Sequence, residues 1–169
     1  MAISLTFLRP YQQDIVQAVL DSIDYGKGLT FSVEIARQGG KNELSALMER
    51  FLLVYYREQP VNIVKCAPTF KPQCLLSMRR LAERLDDIGA KWRAESGHII
   101  RVGEARAIFL SAEEGANVVG NTAHVLLEVD ESQDISKDKY NKDFRPMCSS
   151  TNATVVHYGT TWDDGTLLE

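Results

Sequence analysis

Residues 34–45 read "EIARQGGKNELS", Glu34 to Ser45, and the fold turns on how they are read. A phosphate-binding loop is usually a glycine, four arbitrary residues, then Gly-Lys-Ser or Gly-Lys-Thr. Here Ile35 stands at the first glycine and Asn42 at the hydroxyl position. Gly39 and Gly40 can still turn backbone N–H groups onto anionic oxygens at a helix N-terminus, where the helix dipole favours negative charge. Lys41 then falls in the first helical turn, in reach of β- and γ-phosphates. Asn42 has two options toward Mg²⁺: its side-chain carbonyl replaces the hydroxyl, or a water takes that position. The plain alternative is a glycine turn that happens to precede a helix.

The flanking sequence supplies the strand and helix that such a loop requires. "GLTFSVEIA" (28–36) is rich in β-branched and aromatic residues and predicts a strand. "KNELSALMERFLLVYYRE" (41–58) carries Leu44, Leu47, Met48, Phe51, Leu52 and Tyr55 at helical spacing. A second unit follows, with "VNIVKCA" (61–67) as a strand and "QCLLSMRRLAERLDDIG" (73–89) as a helix ending at Gly89. "KWRAES", "HIIRV" and "ARAIFLSA" predict short strands joined as hairpins across Gly97 and Gly103-Glu104. "SKDKYNKDFRPM" (136–147) predicts a short polar helix stopped before Pro146, and "ATVVHYGTTW" (153–162) a last strand. Alternating strands and helices, some strands continuously apolar, predict an α/β fold with a mostly parallel central sheet flanked by helices. Residues 1–169 are expected to form a single domain.

In "HVLLEVDESQD" a buried-strand pattern ends in Asp130 and Glu131, at the carboxyl end where open α/β sheets place ligands. Two adjacent carboxylates on a buried tip cost free energy unless a cation or a role compensates. Asp130 suits the hydrogen bonds of magnesium-bound water, and Glu131 suits orienting and activating a water that attacks a γ-phosphate. Neighbouring strand residues point to opposite faces, so a turn immediately after Asp130 must re-aim Glu131. The alternative is a solvated acidic strand end.

Composition bounds the partners. The chain has 169 residues, 44% of them apolar, enough for a real core. Lys and Arg number 19 against 23 Asp and Glu, a net charge of -4, so no global basic field points to nucleic acid. Cys66, Cys74 and Cys148, like the three histidines, lack metal-ligand spacing and fit a reducing compartment. No uncharged stretch of about eighteen residues suggests a membrane span.

Taken together, these segments resemble the ATPase domain of the phage large terminase, the motor that packages DNA into a procapsid. The family's loop lacks the first glycine and carries a basic residue, as "ARQGGKN" (36–42) does. Its adenine-contacting motif is similar to "LRPYQ" (8–12), and its coupling motif to "YGTTWDDG" (158–165). The resemblance implies a P-loop NTPase of the ASCE type using ATP and Mg²⁺. Gln12 would read the adenine edge with Arg9 and Tyr11 beside it, although that segment taken by itself favours a helix starting at Pro10 with Gln12 merely exposed. Gln38, Gly39, Gly40, Lys41 and Asn42 would cradle the phosphates, Thr160 and Thr161 would sense the γ-phosphate, and Asp130 with Asn42 would face the metal. Arg37 would hold the γ-phosphate, against the alternative of a surface ion pair with Glu43.

The same resemblance implies double-stranded DNA, a portal protein and a small terminase subunit as partners, and a host-cytoplasmic setting without a membrane. It further implies a homo-oligomeric ring whose neighbour lends an arginine, with Arg101, Arg106 and Arg145 as candidates. The family's nuclease domain has no counterpart here, so a C-terminally truncated ATPase piece of low activity is expected. A superfamily-two helicase, which shares an "LRPYQ"-like start and an Asp-Glu strand end, and a non-hydrolysing nucleotide-binding assembly module are the competing expectations.

Overall fold

A computed structural model describes residues 8–36, 39–160 and 167. Helix α1 (Pro10–Asp24) leads into β1 (Thr30–Glu34), α2 (Lys41–Tyr55), β2 (Asn62–Ala67) and α3 (Leu75–Asp86). Then come β3 (Arg93–Glu95), β4 (Ile99–Val102), β5 (Ala105–Ser111), β6 (Leu126–Val129), the turn α4 (Lys137–Lys139) and β7 (Thr154–Gly159). The sheet order is β1-β7-β6-β2-β5-β4-β3. The first five in that order run parallel, and β4 and β3 extend them as antiparallel hairpins, as the Gly103-Glu104 and Gly97 turns predict. Among the described residues no helix is long and apolar enough to cross a membrane.

The sheet is covered on both faces, and strand periodicity of two sorts its residues between them. Ile63, Leu126, Val156 and Phe109 face the helices α1, α2 and α3, where Val19, Leu44, Leu52 and Leu81 are wholly buried. Val64, Leu127, Val155 and Ile108 face the other way, onto Tyr140, Phe144 and Met147. Those three belong to a helical run that continues from α4 through a wide π-helical turn at Tyr140–Phe144 and a tighter 3₁₀ turn at Arg145–Cys148. The run does not stop before Pro146, as the sequence suggested. Pro146 lies in the first turn of a new short helix, where its missing N–H is no loss. The run is also less polar than expected, because Tyr140, Phe144 and Met147 recur on one side and close the second core. Strands β1 and β7 and helix α2 are each shorter than the sequence suggested.

Helix α2 is fixed to the sheet by charge as well as by apolar packing. Lys65 on β2 and Glu128 on β6 are cross-strand partners, and both side chains lie under α2. Lys65 Nζ donates to Ser45 Oγ at 2.6 Å and pairs with Glu49 Oε1 at 3.1 Å, while Ser45 Oγ donates to Glu128 Oε1 at 2.8 Å. All four residues are at most 3% exposed. Burial alone pulls the Lys65 ammonium down, but Glu49, Glu128 and Asp130 outweigh it and hold it above its usual value. Burial and the nearby Glu49 push Glu128 well above the usual carboxylate range. Breaking such a cluster on one side leaves an uncompensated buried charge, which costs about 3–5 kcal/mol. Lys65→Ala is expected to lose about that much in urea unfolding, whereas Lys65→Met combined with Glu49→Leu recovers most of it because both charges are gone.

Candidate functional site

Four parallel strands end at the same edge of the sheet, and the chain leaves each tip toward one cavity of about 630 Å³. That is a size suited to a small ligand. From β1 comes the glycine loop, from β2 the segment with Gln73, from β6 the acidic pair, and from β7 Thr160.

The loop explains its own departure from the usual pattern. Ile35 is buried, and a Cβ on Gly39 would collide with Ile35 Cγ2 and lie 2.8 Å from the Ala36 carbonyl oxygen. The bulk that replaces the first glycine therefore occupies the space above Gly39, and only a residue without a side chain fits there. Gly40 has φ +84° and caps α2, its carbonyl accepting the Leu44 N–H at 2.9 Å. The N–H groups of the first turn of α2, starting at Lys41, have no partner within the helix.

Behind the loop stands the start of α1. Tyr11 donates its hydroxyl to the Gly39 carbonyl at 2.6 Å, and Gln12 Nε2 approaches the same oxygen at 3.4 Å. Gln12 Oε1 accepts the Arg9 N–H at 3.0 Å. Helix α1 does begin at Pro10, but Gln12 is buried rather than exposed. A second hollow of about 640 Å³, lined by Arg9, Tyr11, Ile15 and Ile35, opens on the outer side of the same loop.

On the opposite wall, Asp130 extends the β6 ladder, its N–H donating to the Cys66 carbonyl at 2.8 Å. Glu131 then adopts φ 47°, ψ 49°, a left-handed conformation that is uncommon outside glycine. That backbone is the re-aiming turn the sequence required. Both carboxylates consequently face Lys41, whose Nζ lies 2.5 Å from Glu131 Oε1 and 3.6 Å from Asp130 Oδ1. The lysine is the cation that compensates the buried acidic tip. Asn42 is exposed at the cavity wall, one residue further along α2.

Several residues here escaped the sequence reading. Gln133 donates from Nε2 to Glu131 Oε2 at 2.7 Å and accepts the Thr160 N–H at 3.3 Å. Ser132 Oγ donates to the Val129 carbonyl at 2.9 Å and lies 3.1 Å from Nδ1 of His157 on β7. A histidine inside the apolar strand "TVVHYG" was the available hint for that contact. Arg80 of α3 lines the outer wall and pairs with Glu43 at 3.4 Å. Glu43, the alternative partner suggested for Arg37, also pairs with Arg84 at 3.3 Å. Arg37, Gln38 and Thr161 lie outside the described residues. Arg101 bonds Glu95 and Glu104, and Arg106 bonds Asn62, both away from this cavity.

No family model matches the chain, and no curated protein does either. Solved structures do. The large terminase of bacteriophage HK97 superposes with a TM-score of 0.73 at 21% identity, over 95% of this chain and 35% of that one. The large terminase ATPase domain of Thermus phage P74-26 gives 0.65 at 18% identity, over 81% of this chain and 60% of that one. The large terminase of another thermophilic bacteriophage, in complex with ADP, gives 0.66 at 12% identity, over 88% of this chain and 38% of that one. The α/β fold is therefore the one found in these terminases, and the chain spans about a third to three-fifths of their length.

Burial pulls His157 down to about 4, against about 6.5 in an unfolded chain. The folded state keeps the ring neutral while the unfolded state takes up a proton between those values. Stability present above about pH 6.5 is thus lost as pH falls toward 4, by about 3 kcal/mol. Urea unfolding at about pH 7 and about pH 4 is expected to show that much greater acid sensitivity in the wild type than in His157→Gln.

Proposed function

We propose that this chain is the ATP-hydrolysing motor domain of a viral large terminase, acting to drive double-stranded DNA into a procapsid. The observation that carries the proposal is the convergence of Lys41, at the start of α2, on Asp130 and Glu131 at the tip of β6. A lysine following a glycine loop and a carboxylate pair on a parallel-strand tip are the parts a nucleoside triphosphatase needs at one place.

In this reading the backbone N–H groups of Gly40 and the first turn of α2, with Gly39 and Gln38 beside them in the loop, cradle the phosphates, and the helix dipole favours their charge. The Lys41 ammonium exchanges Glu131 for a phosphate oxygen when ATP arrives. Glu131 is then available to orient the attacking water and take its proton. Arg37 contacts the γ-phosphate with a planar set of donors. Arg9 and Tyr11 border the hollow beside the loop that would take the adenine, and Gln12 stands next to them on α1. Thr160 and Thr161 follow β7 and report whether the γ-phosphate is present. Asp130 and Asn42 offer hard oxygen donors that would hold Mg²⁺, which would supply charge neutralisation for the phosphates.

Double-stranded DNA, a portal protein, a small terminase subunit and a neighbouring copy in a ring belong to the same proposal, as does a host-cytoplasmic setting. In the assembled motor, Lys41→Ala is expected to abolish binding of a fluorescent ATP analogue. Glu131→Gln is expected to keep that binding while turnover falls on the order of 10²-fold or more. Unchanged hydrolysis in Lys41→Ala rejects the reading. Unchanged packaging in Glu131→Gln favours a module that uses ATP only to join subunits.

A further inference from the structure

We infer that Gln133 is a positioning residue that joins the carboxylate of Glu131 to the end of β7 at Thr160, so that what happens at Glu131 is transmitted to that strand. The inference rests on the ATPase reading above and adds to it a specific connection. Its basis is one side chain with two opposed tasks. Gln133 Nε2 donates to Glu131 Oε2 at 2.7 Å and, more loosely, to Asp134 Oδ2 at 3.3 Å. Its Oε1 accepts the backbone N–H of Thr160 at 3.3 Å. An amide offers a donor and an acceptor at this reach; a carboxylate keeps the acceptor alone, and a thioether of similar length keeps no donor and only a weak acceptor.

The surrounding geometry makes this bridge a link between otherwise separate elements. Strand β7 lies between β1, which carries the glycine loop, and β6, which carries the acids. The backbone beside Gln133 is held by Ser132, which bonds the Val129 carbonyl and meets His157 of β7. Motion of Glu131 is therefore passed on by the Gln133 side chain rather than absorbed by the turn. Beyond Thr160 the contacts continue, with Thr160 Oγ1 3.5 Å from the Ile35 carbonyl and the Ile35 N–H donating to Gly159 at 3.3 Å. Lys41, Glu131, Gln133, Thr160 and Ile35 thus form a continuous chain of contacts along the cavity wall. When Lys41 leaves Glu131 for a phosphate, Gln133 is the member that couples the change to β7.

The test is amide hydrogen exchange on the full chain with and without ATPγS, together with turnover of the assembled motor, in wild type, Gln133→Met and Gln133→Glu. In wild type, ATPγS is expected to protect residues 39–45 and to alter exchange at 158–160. Both variants are expected to keep the protection at 39–45 and an ATPγS affinity within about twofold of wild type. Their response at 158–160 is lost, and turnover falls roughly tenfold or more, the cost of a hydrogen bond to a charged group. Gln133→Glu keeps the acceptor for Thr160, so its exchange at 158–160 without nucleotide stays at the wild-type level while Gln133→Met exchanges faster. A wild-type response at 158–160 in either folded variant, or unchanged turnover, overturns the inference. A wild type in which ATPγS protects nothing at 39–45 overturns the ATPase reading itself, and this inference with it.

Discussion

The arrangement depends on a lysine buried where no lysine is comfortable. Lys65 lies under α2, held by Ser45 and Glu49 of that helix and flanked by Glu128 of β6. A purely apolar contact between helix and sheet would permit α2 to slide or rotate among similar packings. Directed hydrogen bonds one and two turns past Lys41 remove that freedom. They fix the helix against the same strand that ends in Asp130 and Glu131, so the distance from Lys41 to the two acids is set from within the core.

From that anchoring follows a site assembled at the tips of neighbouring strands. The glycine loop is braced from behind by Tyr11 and Gln12 of α1 and from below by Ile35. The acidic turn is braced by Ser132 against His157. Two walls held separately by the core then meet through long polar side chains, with Lys41 spanning one gap and Gln133 the other. Walls fixed by the core and joined by such side chains suit, on the proposed reading, a site that takes and releases a phosphate without remodelling its frame.

Much of this was legible along the chain because it is local. The strand, glycine turn and helix around "EIARQGGKNELS" are contiguous, and so are the apolar run and paired acids of "LLEVDE", so periodicity and residue type identify both. The need for a re-aiming turn at Glu131 followed from strand geometry alone. What stayed hidden was non-local. "VNIVKCA" reads as an apolar strand, and nothing in it shows that Lys65 will meet Glu49, sixteen residues earlier. Sequence order also conceals that the last strand, β7, lies between β1 and β6, which is what gives Gln133 a partner in Thr160. Pro146 misled because its cost depends on whether it falls inside a helix or at the start of a new one. Gln12 was a matter of tertiary burial, which its neighbours in "LRPYQ" do not encode.

The left-handed backbone at Glu131 carries a consequence for how this position tolerates change. That conformation is easiest for glycine and next for asparagine, and a longer side chain holds it at a cost of about 1–2 kcal/mol. Selection for thermal stability alone would therefore drift away from glutamate at 131, toward residues that relax the turn and lack the carboxylate at that reach. A directed-evolution campaign scored only on melting temperature would improve the scaffold while erasing what it was built to hold.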